Sequence, residues 1–166
     1  MAATLHAYGT STALTNAIEA LGTSSTWVAG YESAVVDNTT NLYLDYSFEG
    51  KVTVGTTPTV ATEIRIYVIA SFDGSTWPDV FDGTTGAETV TSQGVRDGFA
   101  KLAAVLRVDA TTSDRSYPFS FLVAPLFGLI VPAKFVLFTT HNTAVNLNAT
   151  PGNHVFNYRG AYTTTG

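Results

Sequence analysis

Two groups of side chains have residue types that could bind a metal ion. His141 and His154 fall on the last two predicted strands, where two imidazoles and one carboxylate could hold a metal. Asp73, Asp79 and Asp82 fall in one loop, where carboxylate oxygens could bind calcium. No carboxylate lies near the histidines in sequence, and the aspartates lack EF-hand spacing, whereas Asp-Gly pairs are common turn residues. The sequence therefore predicts no metal site and no cofactor.

The motifs of common catalytic sites are missing from the sequence. The chain has no cysteine, which excludes a thiol nucleophile, disulfide bonds and cysteine-ligated zinc. It also lacks a G-x-S-x-G nucleophile elbow, a phosphate-binding G-x-x-x-x-G-K-[ST] loop and an H-E-x-x-H zinc helix. We therefore predict that the protein is not an enzyme and has no catalytic residues. An enzyme would require His141 or His154 to meet carboxylates in a pocket.

Two tryptophans are candidates for binding. Trp77 lies in the aspartate-rich loop beside Pro78 and Phe81, and Trp27 lies near the end of the first 30 residues. A tryptophan in such a position can cover the end of a hydrophobic core, anchor a protein interface or stack on a sugar ring. We favour these three roles in that order for both residues.

The composition favours binding to other proteins over binding to nucleic acid. Eight basic and thirteen acidic residues give a net charge of −5, and 13% of residues are charged, against about 25% in average domains. An acidic surface repels a phosphate backbone, so nucleic acid is not an expected partner. A low density of charge is typical of surfaces buried between subunits, although a hydroxyl-rich β surface has the same composition.

One stretch, 121–138, is long and apolar enough to consider as a membrane span. Two prolines, a glycine and a lysine interrupt it, and its aromatic residues favour strands. We predict two strands joined by an apolar loop, and no membrane partner. Residues 1–12 contain no lysine or arginine and no apolar core of a signal sequence, so synthesis and folding in the cytoplasm are expected.

Residues 1–30 are predicted to form an arm with one short helix. Leu14, Ile18 and Leu21 have the i, i+4, i+7 spacing of one helix face. A capping residue and a following glycine fit the two ends of this helix. A helix this short is marginal in water by itself, so the arm must dock on its own domain or on another subunit.

Residues 31–166 are predicted to form one all-β domain, an antiparallel β-sandwich of about eight strands. Alternating apolar and polar residues indicate the strands, and Asp-Asn, Asp-Gly and Pro-Gly turns separate them. The predicted strands are 42–49, 64–70, 102–108, 117–123, 135–140 and 155–162. The segment 75–98 alternates poorly and is predicted to be a functional loop or to contain hidden strands. A jelly roll is the favoured architecture, and an immunoglobulin-like sandwich is the alternative.

Three stretches resemble a known family. They are 33–45 (SAVVDNTTNLYLD), 63–83 (EIRIYVIASFDGSTWPDVFDG) and 127–143 (FGLIVPAKFVLFTTHNT), the last continuing to Tyr158-Arg159-Gly160. In this order they resemble the head cement or decoration proteins of tailed bacteriophages, and the resemblance runs from about Leu14 to Tyr162. The shared motifs define a fold and carry no catalytic residues.

The resemblance implies a jelly-roll protein that assembles as a homotrimer on the outer surface of the virion. Its partner would be the major capsid protein, and its arms and loops would brace the shell against the pressure of packaged DNA. The alternative is a glycan- or receptor-binding module of a phage head fibre or appendage, which an exposed Trp77 would favour. Position along the chain nominates as interface residues Leu14, Ile18, Leu21, Trp27, Trp77, Val80, Phe81, Leu126, Phe127, Leu129 and Ile130.

Overall fold

The computed structural model describes residues 4–165, and these form two antiparallel β-sheets packed as a sandwich. One helix, α1 (Gln93–Phe99), and one 3-10 turn, Ala124–Phe127, accompany the strands. The predicted all-β sandwich is confirmed. The strands in chain order are β1 (Thr4–Tyr8), β2 (Thr12–Ala13), β3 (Ala29–Glu32), β4 (Val36–Asp37), β5 (Asp45–Thr53), β6 (Glu63–Ser71), β7 (Gly86–Thr89), β8 (Lys101–Arg107), β9 (Ser116–Leu122), β10 (Lys134–His141) and β11 (Val155–Thr165).

Strand pairing is nested along the chain. Sheet A has the order β1–β11–β5–β9, with β2 also paired to β11, and sheet B has the order β7–β3–β10–β6–β8, with β4 also paired to β10. Early strands therefore pair with late ones: β1 and β2 with β11, β3 and β4 with β10, β5 with β9, and β6 with β8. The chain folds back on itself like one long hairpin, and the pairs β11–β5 and β10–β6 complete the two sheets.

The main hydrophobic core fills the space between the two sheets. Ile64 and Ile66 of β6 meet Phe135 and Leu137 of β10 there, and Phe48 of β5 faces them from sheet A. All five are fully buried, and each such side chain contributes about 1.5–3 kcal/mol to folding through its removal from water. The alternation that predicted these strands therefore reflects burial in this core.

A second, smaller core covers the outer face of sheet B. Tyr67 and Ile69 of β6, with Val136 and Phe138 of β10, pack there against Phe81 of the loop after β6. The segment that covers this face includes β7 and α1, so the hidden strand expected in this part of the chain is present. Because β6 and β10 are buried on both faces, their sequences are almost continuously apolar.

The predicted N-terminal helix is wrong. Leu14 and Ile18 are core residues, but they reach the core from an irregular segment after β2. The Leu14 N–H donates to the Phe156 carbonyl at 2.8 Å, and Ala20 has a left-handed φ of 55° that a helix does not allow. The spacing of these residues therefore reflects two separate contacts with the sandwich. The expected domain boundary at residue 30 falls inside β3, and residues on both sides of it belong to the same core.

The six strands predicted from alternation all have counterparts, in β5, β6, β8, β9, β10 and β11. The stretch 121–138 consists, as predicted, of two strand segments joined by an apolar connection. Within residues 4–165, no helix has both the length and the apolar character needed to cross a lipid bilayer.

Candidate functional site

The two ends of the sandwich differ in their exposed side chains. We call one the apolar end; its loops are 38–44, 72–85 and 123–133. The opposite, polar end has the loops 54–62, 108–115 and 142–154. The four most exposed large apolar side chains of the described residues all lie at the apolar end: Leu42 (71%), Phe72 (68%), Leu129 (76%) and Ile130 (69%).

The first loop of the apolar end is fixed by one asparagine. The Asn38 Oδ1 atom accepts hydrogen bonds from the Tyr43 N–H at 2.8 Å and from the Tyr46 hydroxyl at 3.0 Å. Its Nδ2 atom donates to the Tyr43 carbonyl at 3.1 Å. Leu42, between these anchors, has a left-handed φ of 51° and points its side chain into solvent. The exposure of Leu42 is therefore a property of an ordered turn.

The third loop is fixed by one carboxylate. The Asp45 Oδ1 atom accepts hydrogen bonds from the Val123 N–H at 3.1 Å and the Ala124 N–H at 2.8 Å, which begins the 3-10 turn. Gly128 and Leu129 follow with left-handed φ values of 68° and 71°. A leucine in this conformation costs on the order of 1–3 kcal/mol. The backbone thus holds an apolar side chain outwards at an energetic cost.

An aromatic cleft lies beside this loop. Phe72, Trp77, Phe99 and Phe127 line a volume of about 570 Å³, with Lys101 at its rim. Phe72 and Phe127 meet edge to face, with ring centroids 5.8 Å apart and ring planes at 80°. Such pairs are favourable by about 0.5–1.5 kcal/mol beyond the burial of area. The cleft is therefore a formed, aromatic surface with one basic side chain, Lys101, and one acidic side chain, Asp73.

Asp73 and Asp82 of the second loop act as turn residues, whereas Asp79 joins the loop to the segment after β7. Asp73 Oδ1 accepts the N–H groups of Ser75 and Thr76 at 2.8 and 2.7 Å, and Oδ2 accepts the Thr76 hydroxyl at 2.6 Å. These hydrogen bonds hold the pKa of Asp73 well below its usual value. Asp79 accepts the Thr91 N–H at 2.8 Å, and Asp82 accepts the Thr84 N–H at 2.7 Å. The hydrogen bonds therefore favour structural roles over calcium binding, in turns for Asp73 and Asp82 and in a longer-range contact for Asp79. No metal-binding group of three His, Cys, Asp or Glu occurs in residues 4–165.

Both candidate metal-binding histidines are buried structural residues. His141 contacts the Leu21 carbonyl through Nε2 and the Thr143 hydroxyl through Nδ1, both at 2.9 Å. His154 contacts the Asn148 carbonyl through Nε2 at 2.9 Å, and its Nδ1 atom accepts the Thr53 N–H at 3.3 Å. Burial lowers the pKa of both rings. Their ring nitrogens are occupied by hydrogen bonds within the fold, so neither is placed to serve as a catalytic base.

A buried carboxyl group ties the second loop to sheet B. Glu32 of β3 is fully buried, and its Oε1 atom accepts the Gly83 N–H at 2.8 Å. Its Oε2 atom has no hydrogen-bond partner within the described residues. Burial raises the pKa of Glu32 to about 7, and the nearby carboxylates of Asp82 and Glu88 add to the rise. The attachment of this loop therefore depends on a carboxyl group that titrates near neutral pH.

The predicted interface residues separate into three groups. Exposed or half-buried at the apolar end are Trp77, Val80, Leu126, Phe127, Leu129 and Ile130. Leu14, Ile18 and Phe81 are core residues and are removed from the candidate surface, because their side chains are covered within the chain itself. Leu21 and Trp27 are half-buried elsewhere in the molecule, and Trp27 stacks on the Arg65 guanidinium at 4.0 Å.

Three exposed residues at the apolar end escaped the sequence analysis: Leu42, Leu44 and Phe72. Leu42 and Leu44 precede β5 and have the same apolar–polar alternation as that strand. Their spacing therefore predicted a buried strand face, although both are exposed. Phe72 directly follows the apolar run of β6. The available signal that the strands do not extend so far was a nearby turn residue, Asn38 before Leu42 and Leu44 and Asp73 directly after Phe72.

Comparison of the chain with family models, curated proteins and solved structures finds no match.

Proposed function

We propose that the protein is a structural protein of a bacteriophage virion that binds the outer surface of the major capsid shell and stabilises it. The exposed apolar end is the observation that carries this proposal. Contiguous apolar surface on a soluble chain marks a site that a partner covers. The loop 123–133 contains no charged residue, and Leu129 and Ile130 are held outwards at its tip.

The strand order supports jelly-roll connectivity, the finer form of the sandwich. If β1 with β2 and β3 with β4 are each counted as one interrupted strand, the sheets read β1/β2–β11–β5–β9 and β3/β4–β10–β6–β8. Eight strands nested in this way match a jelly roll, an architecture found in viral capsids and lectins. β7 is then an addition at the edge of sheet B.

The physical role would be adhesion by many copies. Burial of Leu129, Ile130 and Phe72 on a shell would contribute about 25 cal/mol for each Å² of apolar surface removed from water. One such contact is weak, but contacts repeated by the symmetry of a shell reinforce one another through effective concentration. No step of this role uses a catalytic group, a metal or a cofactor.

Co-sedimentation with empty, expanded shells of the phage that encodes the protein tests the proposal. We expect saturable pelleting at a fixed ratio to the capsid protein, together with a higher temperature of shell disruption. A folded protein that stays in the supernatant at every concentration would contradict it.

The aromatic cleft favours a second candidate, a glycan-binding module. Trp77 and Phe72 offer ring faces on which a sugar could stack. The cleft offers few free hydrogen-bonding groups to a sugar, because the Asp73 oxygens already accept hydrogen bonds from Ser75 and Thr76. Binding to a glycan array that Trp77→Ala abolishes, combined with failure to bind shells, would favour this candidate over the first.

A further inference from the structure

The edge strand β8 of sheet B has an open side. Within residues 4–165, its strand partner is β6, which lies on one side of it only. The Val108 N–H, directly after β8, donates to the Thr62 carbonyl at 2.8 Å. Because backbone groups alternate in direction along an antiparallel ladder, Leu106 also faces β6, whereas the N–H and C=O groups of Val105 point to the open side. An open edge of this kind can accept a further strand.

The side chains of β8 are apolar between two basic ends. Lys101 begins the strand and Arg107 ends it, and the five residues between them are leucine, alanine or valine. Leu102 and Val105 are each 45% exposed. A strand laid along this edge would therefore cover apolar surface in its middle and meet a positive charge at either end.

The two charges of β8 are available to a partner. Within residues 4–165, neither Lys101 nor Arg107 forms an ion pair. If two copies of the chain paired antiparallel along the whole of β8, Lys101 of one copy would lie opposite Arg107 of the other. Like charges directly opposite one another destabilise a strand pair. The edge therefore disfavours a second copy of itself and is complementary to an acidic strand.

The aromatic cleft begins where this edge begins. Lys101 belongs to both, because it is the first residue of β8 and lines the cleft together with Phe72 and Trp77. Asp73, the acidic residue of the cleft, accepts hydrogen bonds from the N–H groups of its own turn. A chain that follows the open edge past Lys101 thus reaches an aromatic cleft of about 570 Å³, which has room for a large apolar side chain.

We propose that the open edge of β8 binds an extended acidic segment of the major capsid protein, which adds to sheet B as a further strand and places a large apolar side chain in the aromatic cleft. The identity of this partner rests on the proposed function. Antiparallel addition, the more stable arrangement, runs the segment from Arg107 towards Lys101. Its acidic residue then lies beside Lys101, and its apolar residue follows into the cleft. In such complexes, main-chain hydrogen bonds supply affinity and side-chain pockets supply specificity.

Binding of synthetic peptides to the full chain, without shells, tests this mode directly. The probe is a short peptide of alternating threonine and valine that ends in glutamate and phenylalanine, and lysine replaces the glutamate in the control peptide. Amide NMR is expected to show shifts at Val105, at Lys101 and around the cleft. The lysine peptide should bind about fivefold more weakly, because one exposed charge pair contributes modestly. Lys101→Glu should reverse the order of the two peptides. No binding of either peptide, or equal binding of both by the parent, would overturn the inference.

A proline on the open side tests the added strand in the peptide and shell assays. Val105→Pro removes the N–H group that the added strand needs, while the hydrogen bonds to β6 remain. Binding should fall about tenfold, as expected for one lost hydrogen bond. Val105→Thr is the matched control, because it keeps the β-branched shape and the N–H group and should bind like the parent. Circular dichroism verifies folding, and the charge reversal at Lys101 decides the question if the proline variant does not fold.

The two assays separate this inference from the proposed function. If the parent and folded Val105→Pro pellet equally with shells, the inference is overturned and the proposed function stands. If the parent binds the acidic peptide as expected but does not pellet with shells, strand addition at β8 is supported. The proposed function, and with it the capsid protein as the partner, is then contradicted.

Discussion

The loops at the two ends of the sandwich expose side chains of opposite character. At the polar end, the Asn148 side chain accepts the N–H of Thr150 and the amide of Asn153 and donates to Asp114, while its carbonyl contacts His154. Those loops are closed by hydrogen bonds within the chain. The apolar end is equally ordered, but it directs leucine, isoleucine and phenylalanine side chains into water. Order within the loops therefore does not distinguish the ends; the chemistry left facing outwards does.

The two ends also depend on titratable groups of opposite kind. The loop 72–85 of the apolar end is held by Glu32, whose carboxyl group is costly to ionise in its buried site. The polar end is held by His141 and His154, whose rings are costly to protonate where they are buried. Rising pH is thus expected to reduce the stability contributed at one end, and falling pH the stability contributed at the other.

The largest expected effect is on shell binding. The double variant Leu129→Asp, Ile130→Asp should weaken binding about a thousandfold, since two interface anchors at about 2 kcal/mol each amount to three powers of ten. Val60→Asp is the control, because Val60 is an exposed apolar residue of the polar end. Quantitative co-sedimentation measures the shell binding of both variants. A similar loss of binding in the two would contradict a specific role of the apolar end in binding.

The next largest effect is the response of stability to alkaline pH. With a pKa near 4.5 in the unfolded chain and about 7 in the fold, neutral Glu32 stabilises the protein fully below pH 4.5. This contribution decreases between the two values and is lost above pH 7. Glu32→Gln should therefore be more stable than the parent by about 3 kcal/mol near pH 8 and similar to it near pH 4.5. Urea unfolding checks this, and parallel pH curves for the two proteins would contradict it.

A somewhat smaller effect is expected for the hydrogen bonds of the polar end. Asn148→Ala should lower the free energy of unfolding by about 2 kcal/mol, because it leaves the N–H of Thr150 and other polar groups without partners. Shell binding should not change. Asn146→Ala, an exposed asparagine of the same loop, is the matched control for chain stability. Loss of shell binding in folded Asn148→Ala would show that the polar end also takes part in binding.

The smallest effect is expected on the acid side. The pKa of His141 is lowered by burial, so the stability that its neutral ring contributes is present above the unfolded value of about 6.5 and lost as pH falls. The opposite trend of Glu32 overlaps this range, so the measurement belongs in the Glu32→Gln background. There, His141→Gln should flatten the decline of stability below pH 6.5. An unchanged slope would assign the acid sensitivity of the polar end to His154 or to carboxylates.

The central strands were predictable because burial imposes their pattern. β6 and β10 alternate between two cores, and the predicted bounds differ from the observed ones by one residue at each end. The helix expected at residues 14–21 failed because three apolar residues at helical spacing do not require a helix. The real helix, α1, has no apolar stripe: its buried residue is Arg96, which donates to the Trp27 carbonyl at 2.8 Å. A polar contact of this kind leaves no hydrophobic period to detect.

The candidate surface was predictable where it lies in an uninterrupted apolar loop. Leu129 and Ile130 were identified because no strand assignment competed for them. Leu42 and Leu44 were missed because the alternation of the following strand extended over them. The pairing of β1 with β11 left no local signal, because each pair joins residues from the two ends of the described chain.

Nested pairing has a consequence for synthesis on the ribosome. β11 lies between β1 and β5, and Thr4 finds its partner Thr165 only 161 positions later. At about 5–20 residues per second, translation separates the appearance of the two strands by seconds. The hairpin of β6 and β8 can form early, but sheet A cannot close until β11 leaves the exit tunnel. Sheet A is therefore completed only after translation has passed β11.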